Sequence, residues 1–245
     1  EASRVAKAVH LVRDLVNTPA GDMGPEALEA AFKGVALSHG ATFETIVGEE
    51  LLAKNYPLIH AVGRAAAQAP RLVRLSWGDP SHPRLALVGK GVTFDTGGLD
   101  LKPSAGMRIM KKDMGGAAHA LALGQLVMEA GLPVRLEVVA AIVENAVSAD
   151  ALRPGDIIKS RKGLTVEIDN TDAEGRLILA DALVRACEDK PELVLDFATL
   201  TGAARTALGP DVPPFFTDDA ALAADLAAAG QAVHDPLWRL PLWMG

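Results

Sequence analysis

Apolar positions along the chain fall into blocks that alternate between helical and strand periods. Val5, Val9, Val12 and Val16 recur at helical spacing and predict an amphipathic helix with a valine stripe. The pattern stops at "NTPAGD", where Pro19 and Gly21 break it. Pro25 suits the first turn of a second helix, with Leu28, Phe32 and Val35 on one face and Gly40 closing it. Three β-rich runs follow, "ATFETIVG", "RLVRLSWG" and "RLALVGKG", read as successive strands separated by polar or proline-containing turns. From Met114 to Ala130 an alanine-rich helix is ended by Gly131 and Pro133, and the near-continuous apolar run "VRLEVVAAIV" after it suits a strand covered on both faces.

Beyond it, "DIIKSRKGLTVEI" reads as a hairpin turning at Lys162-Gly163, and a helix is expected from about Glu174 to Cys187. The run "LVLDFATLTG" gives another buried strand with a polar tip, and "DDAALAADLAAAG" an exposed helix. Helices placed between strands predict an α/β fold: a mainly parallel or mixed central sheet with helices on both faces, in one domain spanning 1–245. The closing "DPLWRLPLWMG" puts two tryptophans and a Leu-Pro-Leu beside the terminus, an apolar tail that expects a partner or more chain.

Composition narrows the classes. At 49% hydrophobic residues, 245 residues can bury a sizeable core. Against 31 acidic residues stand 24 Lys and Arg, a formal charge of −7 without any long run of one sign, which speaks against nucleic acid as a main partner. The single cysteine, Cys187, excludes an internal disulfide and a cysteine zinc site and suits the cytoplasm. It sits in an apolar helix pattern, which disfavours it as a nucleophile. No apolar run approaches a membrane span, and Glu1 opens the chain without a signal segment or an initiator methionine, from which upstream residues are expected to be missing.

Chemistry concentrates at three junctions between regular elements. In "ALVGKGVTFDTGGLDLKP" the strand ends at Lys90 and a glycine-rich loop carries Asp95 and Lys102; "MKKDMGGAA" puts Asp113 at a helix start; "VEIDNTDAEGRLILADAL" holds Asp169, Asp172, Glu174 and Arg176 where a strand gives way to a helix. Ligands of open parallel sheets collect at the carboxyl ends of strands, where these loops can meet. Asp95, Asp113, Asp172 and Glu174 brought together would repel one another unless cations neutralised them, and four carboxylates can hold two divalent ions. Taken singly, each has a plainer reading: Asp113 as a helix N-cap, Asp172 and Glu174 as acids favoured by the helix dipole, Lys102 as a solvated loop lysine. Gly97-Gly98, Gly115-Gly116 and Gly175 adjoin all three clusters, as loops that let backbone approach a ligand would require. The six histidines form no metal-binding pair, and His119 is read as packing or surface. No nucleophile elbow accompanies Ser104.

The segments "VGKGVTFDTGGLDLKPSAGM", "KKDMGGAA" and above all "NTDAEGRLILADAL" resemble the signature segments of the leucyl aminopeptidase (cytosol aminopeptidase) family, in the family's order, with "LVNTPAGDMGPEAL" and "ATLTGAARTALG" adding to the likeness from about Leu11 to Leu242. The resemblance implies a metal-dependent aminopeptidase that releases N-terminal amino acids, leucine-like ones preferred, from peptides with a free N-terminus through a hydroxide held by two metals. By position it makes Lys90, Asp95, Asp113, Asp172 and Glu174 the ligands of two divalent ions, Mn or Zn. It makes Lys102 the group facing the carbonyl oxygen as it turns anionic, and Arg176 the holder of a bicarbonate ion that relays the water's proton. Met110, Asn170, Ala173, Thr199, Leu200 and Gly202 would shape the substrate pocket, and Asp169 has no matching role and is read as structural. It further implies a cytoplasmic hexamer that needs neither nucleic acid nor membrane, and a catalytic domain that lacks the family's N-terminal domain and final C-terminal part. Two other classes stand beside this reading: a two-metal phosphoesterase, although "LALVGKGV" lacks the phosphate-binding loop pattern, and a catalytically incomplete binding or assembly fragment.

Overall fold

The computed structural model describes residues 2–243, which form two compact units, Glu1–Thr199 and Leu200–Gly245. In the first unit the order is α1 (Ala2–Asn17), α2 (Pro25–Ser38), β1 (Thr42–Val47), α3 (Glu50–Ala53), α4 (Pro57–Gly63), β2 (Arg71–Trp77) and β3 (Arg84–Asp95). Next come α5 (Ser104–Met107), a 3-10 turn (Met110–Met114), α6 (Gly115–Ala130), β4 (Arg135–Asn145) and the hairpin β5 (Ile157–Lys159) and β6 (Thr165–Glu167). A second 3-10 turn (Thr171–Ala173), α7 (Glu174–Glu188) and β7 (Leu193–Phe197) complete it. The hairpin turns where the sequence places it, with Gly163 at φ 89°.

The central sheet has the order β1-β2-β4-β3-β7. β2 pairs antiparallel with both β1 and β4, whereas β3 pairs parallel with β4 and β7, so the sheet is mixed. Alternate residues of its strands feed two cores. Leu72, Ala86, Val88, Val139 and Ala141 face α4 and α7; Val73, Leu75, Leu87, Val138 and Ala140 face α1, α2 and α6. Phe32 and Leu121 are completely buried in the second core, where truncating a phenylalanine to alanine costs about 3–5 kcal/mol.

Three local expectations are corrected. In α1 the buried residues are Ala8 and Leu15, with Leu11, Val12 and Val16 packed beside them, while Val5 and Val9 are exposed; the helix turns the valine stripe partly outward. Between β1 and β2 the chain forms α3 and α4 rather than a turn, because Leu51, Tyr56, Leu58, Ile59 and Val62 have apolar core to enter. Cys187 is exposed at the end of α7 rather than buried in an apolar face.

α6 lies unusually close to the sheet. A Cβ at Gly89 would fall 2.5 Å from Ala117 Cα, and one at Gly116 would fall 2.1 Å from the Phe197 carbonyl oxygen. This contact brings the turn before α6 to the carboxyl ends of β3 and β7.

The second unit contains α8 (Ala203–Leu208), β8 (Pro214–Phe215), α9 (Ala220–Ala232) and β9 (Trp238–Arg239), with β8 and β9 parallel. The Asp219 side chain caps α9 by accepting from the backbone N–H groups of Ala221 and Leu222. α9 is the expected alanine helix, mostly exposed with Ala223 and Gly230 buried. Trp238 and Trp243 of the apolar tail are exposed; Met244 and Gly245 lie outside the described residues.

Candidate metal centre

β3 carries Lys90 in its interior and ends at Asp95, where its register with β4 shifts between Val92 and Asp95. That irregularity turns the strand tip into the Thr96–Lys102 loop. Lys90 reaches across the first turn of α7: its Nζ lies 2.8 Å from Asp113 Oδ2 and 3.0 Å from Glu174 Oε1, and both the lysine and these acids are 2% exposed at their side chains. Burial works against the ammonium charge, but Glu174 and Asp113 outweigh it and raise the Lys90 pKa. Glu174 is pushed up to about 7, mainly by burial, with Lys90 opposing the shift and Asp95 and Asp113 adding to it.

Lys102 is not the solvated loop lysine that its place before Pro103 allows. Its side chain is 14% exposed, and its Nζ sits 2.8 Å from Asp95 Oδ2 and against Asp172 Oδ1. Burial disfavours its charge, yet the hydrogen bonds and charges of Asp172 and Asp95 raise its pKa, so it stays cationic. Asp113 is not an N-cap either. It lies within the 3-10 turn, and its Oδ1 accepts from Thr199 Oγ1 at 2.8 Å and Lys112 Nζ at 3.1 Å.

The site therefore gathers four acids and three lysines, Lys90, Lys102 and Lys112, from three segments. Asp95, Asp172 and Glu174 each offer an oxygen within 4.8 Å of the others, a separation at which one cation can be shared. Asp113 Oδ2, Asp172 Oδ1 and Glu174 Oε2 are buried without an aligned hydrogen bond, although the first two touch the lysines. Buried carboxylate oxygens are normally satisfied. Converging hard oxygens, one of them, Glu174 Oε2, without a partner among the described residues, are what divalent ions fit.

The remaining expected residues lie as follows. Met110 opens the turn that bears Asp113, and Asn170 and Ala173 flank Asp172, with Asn170 Oδ1 accepting from the Asp172 N–H at 2.8 Å. Arg176 is exposed, has no hydrogen bond or ion pair among the described residues, and lines with Asn170 and Ala173 a cavity of about 330 Å³. Thr199, expected at the substrate pocket, uses its hydroxyl on Asp113. Leu200 and Gly202 belong to the second unit, just before α8. Asp169 is exposed and forms no hydrogen bond or ion pair among the described residues, against its reading as structural. His119 is exposed on α6 and bonds the Gly115 carbonyl.

The glycines correct another expectation. Each makes room for the protein's own atoms: Gly97 for the Asp100 carbonyl at 2.5 Å from an added Cβ, Gly98 for Thr171 Oγ1 at 2.9 Å, Gly116 for Phe197 and Gly175 for Lys90 Cε at 2.6 Å. Only Gly97 and Gly98 also need positive φ, at 90° and 67°.

Residues 10–245 match the sequence profile of the cytosol aminopeptidase family, catalytic domain. The chain belongs to this family. It is 45% identical over 249 residues to Peptidase B of Serratia proteamaculans (strain 568), covering 99% of this chain and 58% of that protein. The crystal structure of cytosol aminopeptidase from Coxiella burnetii superposes with a TM-score of 0.95 at 51% identity, over 98% of this chain and 52% of that one. A bottromycin maturation enzyme, BotP, solved in complex with Mn, superposes with a TM-score of 0.93 at 43% identity, over 98% of this chain and 53% of that one. The chain thus spans a little over half the length of these family members. Among the described residues no helix is long and apolar enough to cross a membrane.

The sequence reading missed three polar residues at this site. Asn145 ends β4, Thr171 opens the second 3-10 turn and Asp100 lies in the Thr96–Lys102 loop, and all three hydrogen-bond there. Their only signal was a polar residue at a strand or loop end, which is too common to single out.

Proposed function

We propose that the protein carrying this chain is a metal-dependent aminopeptidase that releases N-terminal amino acids, leucine-like ones preferred, from peptides with a free N-terminus. The observation that carries the reading is the set of Asp95, Asp172 and Glu174 oxygens within 4.8 Å of one another, with Glu174 Oε2 buried and without a partner among the described residues. Asp95, Asp113, Asp172 and Glu174 would hold two divalent ions, manganese or zinc, joined by Lys90 only as the neutral amine, its ammonium proton given up as the ions replace the charge it balances; the Mn-bound relative favours manganese as the first ion to try. When bound, the ions would polarise the scissile carbonyl and acidify the attacking water.

The chain's own groups do the rest. Lys102 keeps its charge at the edge of the cluster and is suited to stabilise oxygen as it becomes anionic. The exposed guanidinium of Arg176 has no partner among the described residues and can take an anion, and bicarbonate is assigned there as the proton relay. Met110, Asn170, Ala173, Thr199, Leu200 and Gly202 are assigned to the substrate pocket by the family resemblance. Thr199 would act there while also fixing Asp113. Cytoplasmic location and hexameric assembly are inferred on the same ground, with relatives named cytosol aminopeptidase in support.

The test is hydrolysis of leucine anilide by the full-length protein, with and without added manganese and bicarbonate. Metal-dependent release is expected. Turnover of a phosphate monoester with no release from the anilide would overturn the reading in favour of a phosphoesterase.

A further inference from the structure

The side-chain amide of Asn145 joins the segments that carry the acids. Asn145 is the last residue of β4, 5% exposed, and stands opposite Asp95 where the register of β3 has shifted. Its Nδ2 donates to Asp95 Oδ1 at 2.9 Å and to the Thr171 carbonyl at 3.1 Å, so both amide hydrogens are used, one on each side of the site. Both partners are acceptors, which fixes the NH2 rather than the oxygen towards them. The Asn145 backbone carbonyl accepts from the Thr96 N–H at 3.0 Å and from Thr96 Oγ1 at 2.8 Å, tying down the start of the loop that leads to Lys102.

Thr171 extends the link. It is 1% exposed; its hydroxyl donates to the Gly97 carbonyl at 2.6 Å and accepts from the Asp100 N–H at 2.9 Å, while its own N–H donates to Asp100 Oδ2 at 2.8 Å. The loop after Asp95 and the turn that carries Asp172 are thereby held at one fixed separation. One consequence is orientation. Asp95 Oδ1 receives two donors, Gly97 N–H and Asn145 Nδ2, which leaves Oδ2 as the oxygen turned to the cluster, 2.8 Å from Lys102 Nζ.

We infer that Asn145 is a positioning residue of the metal centre: it selects which Asp95 oxygen faces the ions and sets the distance from Asp95 to Asp172. This rests on the proposed metal centre. A neutral amide suits the place because it offers two donors without charge; a carboxylate there would face Asp95 and a carbonyl with no donor, and a methyl group would leave both acceptors without a partner.

The experiment uses the full-length protein and Mn2+ as the probe. Wild type, Asn145→Ala, Asn145→Asp, Asp95→Asn and the double variant Asn145→Ala/Asp95→Asn are compared by isothermal titration of Mn2+, by the electron paramagnetic resonance spectrum of bound Mn2+, and by melting of the metal-free protein. Expected are a loss of about 10–100-fold in Mn2+ affinity for both Asn145 variants, the size usual for groups that orient metal ligands, and an altered Mn2+ spectrum. In the double variant the losses should combine to less than their product, since Asn145 acts through Asp95. Should Asn145→Ala fail to fold, the near-isosteric Asn145→Asp decides by the same readouts. A purely structural role would lower the melting temperature of the metal-free protein while leaving affinity and spectrum per folded molecule as in wild type, and that result overturns the inference. Wild type that binds no Mn2+ would instead overturn the metal centre itself.

Discussion

Gly175 and Lys90 share one space: a Cβ on Gly175 would stand 2.6 Å from Lys90 Cε and 2.8 Å from its Nζ. The glycine at the second position of α7 is what lets a lysine from the middle of a strand pass over a helix start and reach both Asp113 and Glu174. Gly175→Ala should therefore push the ammonium out of its two ion pairs, destabilising the fold by about 2 kcal/mol or more and weakening Mn2+ binding about tenfold or more. Gly34→Ala is the control. Gly34 lies inside α2 with nothing within 4 Å of an added Cβ, so alanine there should stabilise by about 0.5–1 kcal/mol through helix propensity. Denaturant unfolding of both variants checks the opposite signs; equal effects would remove Lys90 from the explanation.

If Glu174 and its neighbours hold the proposed ions, metal binding is a stability term. Ions that bind only the native state add about 2.7 kcal/mol per site at a hundredfold excess over the dissociation constant. Melting temperature should climb with Mn2+ concentration and fall back on chelation, and Glu174→Ala should flatten the response. A steep Mn2+ response in Glu174→Ala would mean that the ions bind elsewhere.

Lys102 and Arg176 differ from the proposed metal ligands in what they should cost. Lys102→Ala removes a cation whose pKa is raised by Asp172 and Asp95 against the effect of burial. With ligand geometry kept, kcat on leucine anilide should drop about 10²–10³-fold while Mn2+ content stays near wild type. Arg176→Ala should lower kcat and abolish stimulation by added bicarbonate. Unchanged bicarbonate dependence in that variant would take the anion away from Arg176.

How much of this the sequence discloses depends on the range of the interaction involved. The strands and long helices are legible because hydrophobic period is a local property: α6, β4 and the β5–β6 hairpin stand where the pattern puts them. The valine stripe of α1 misleads because which face is buried depends on α6 and the sheet, not on α1 alone. Charged junction residues declare the cluster through their density near glycines, yet the reason for the glycines lies across the fold, in contacts such as Gly116 with Phe197. Asn145, 50 residues from Asp95, has no local mark at all; a single buried amide becomes visible only when the sheet places it.

Asp181 offers a test of the fold away from the metal centre. It is completely buried on α7, and its Oδ2 accepts from the Leu58 N–H at the start of α4 while Oδ1 accepts from the Arg161 N–H, both at 2.9 Å. One carboxylate thus caps a helix more than a hundred residues away in the chain and anchors the hairpin turn. Asp181→Ala leaves two N–H groups unpaired and should cost about 2–4 kcal/mol. Burial is the main influence on this acid and raises its pKa above 3.8, with the backbone N–H groups of Arg161, Leu58 and Ile59 pulling the other way. Because the folded value exceeds the unfolded one, the native state holds the extra proton between the two values. Stability from this residue is fully present below the unfolded value and declines as pH rises through the folded value. Unfolding free energy measured against pH for wild type and Asp181→Asn, which cannot titrate, should show the wild type losing ground to the variant across that window and a constant gap above it. A wild type that gains on Asp181→Asn as pH rises would mean that the hydrogen bonds, not burial, govern this carboxylate.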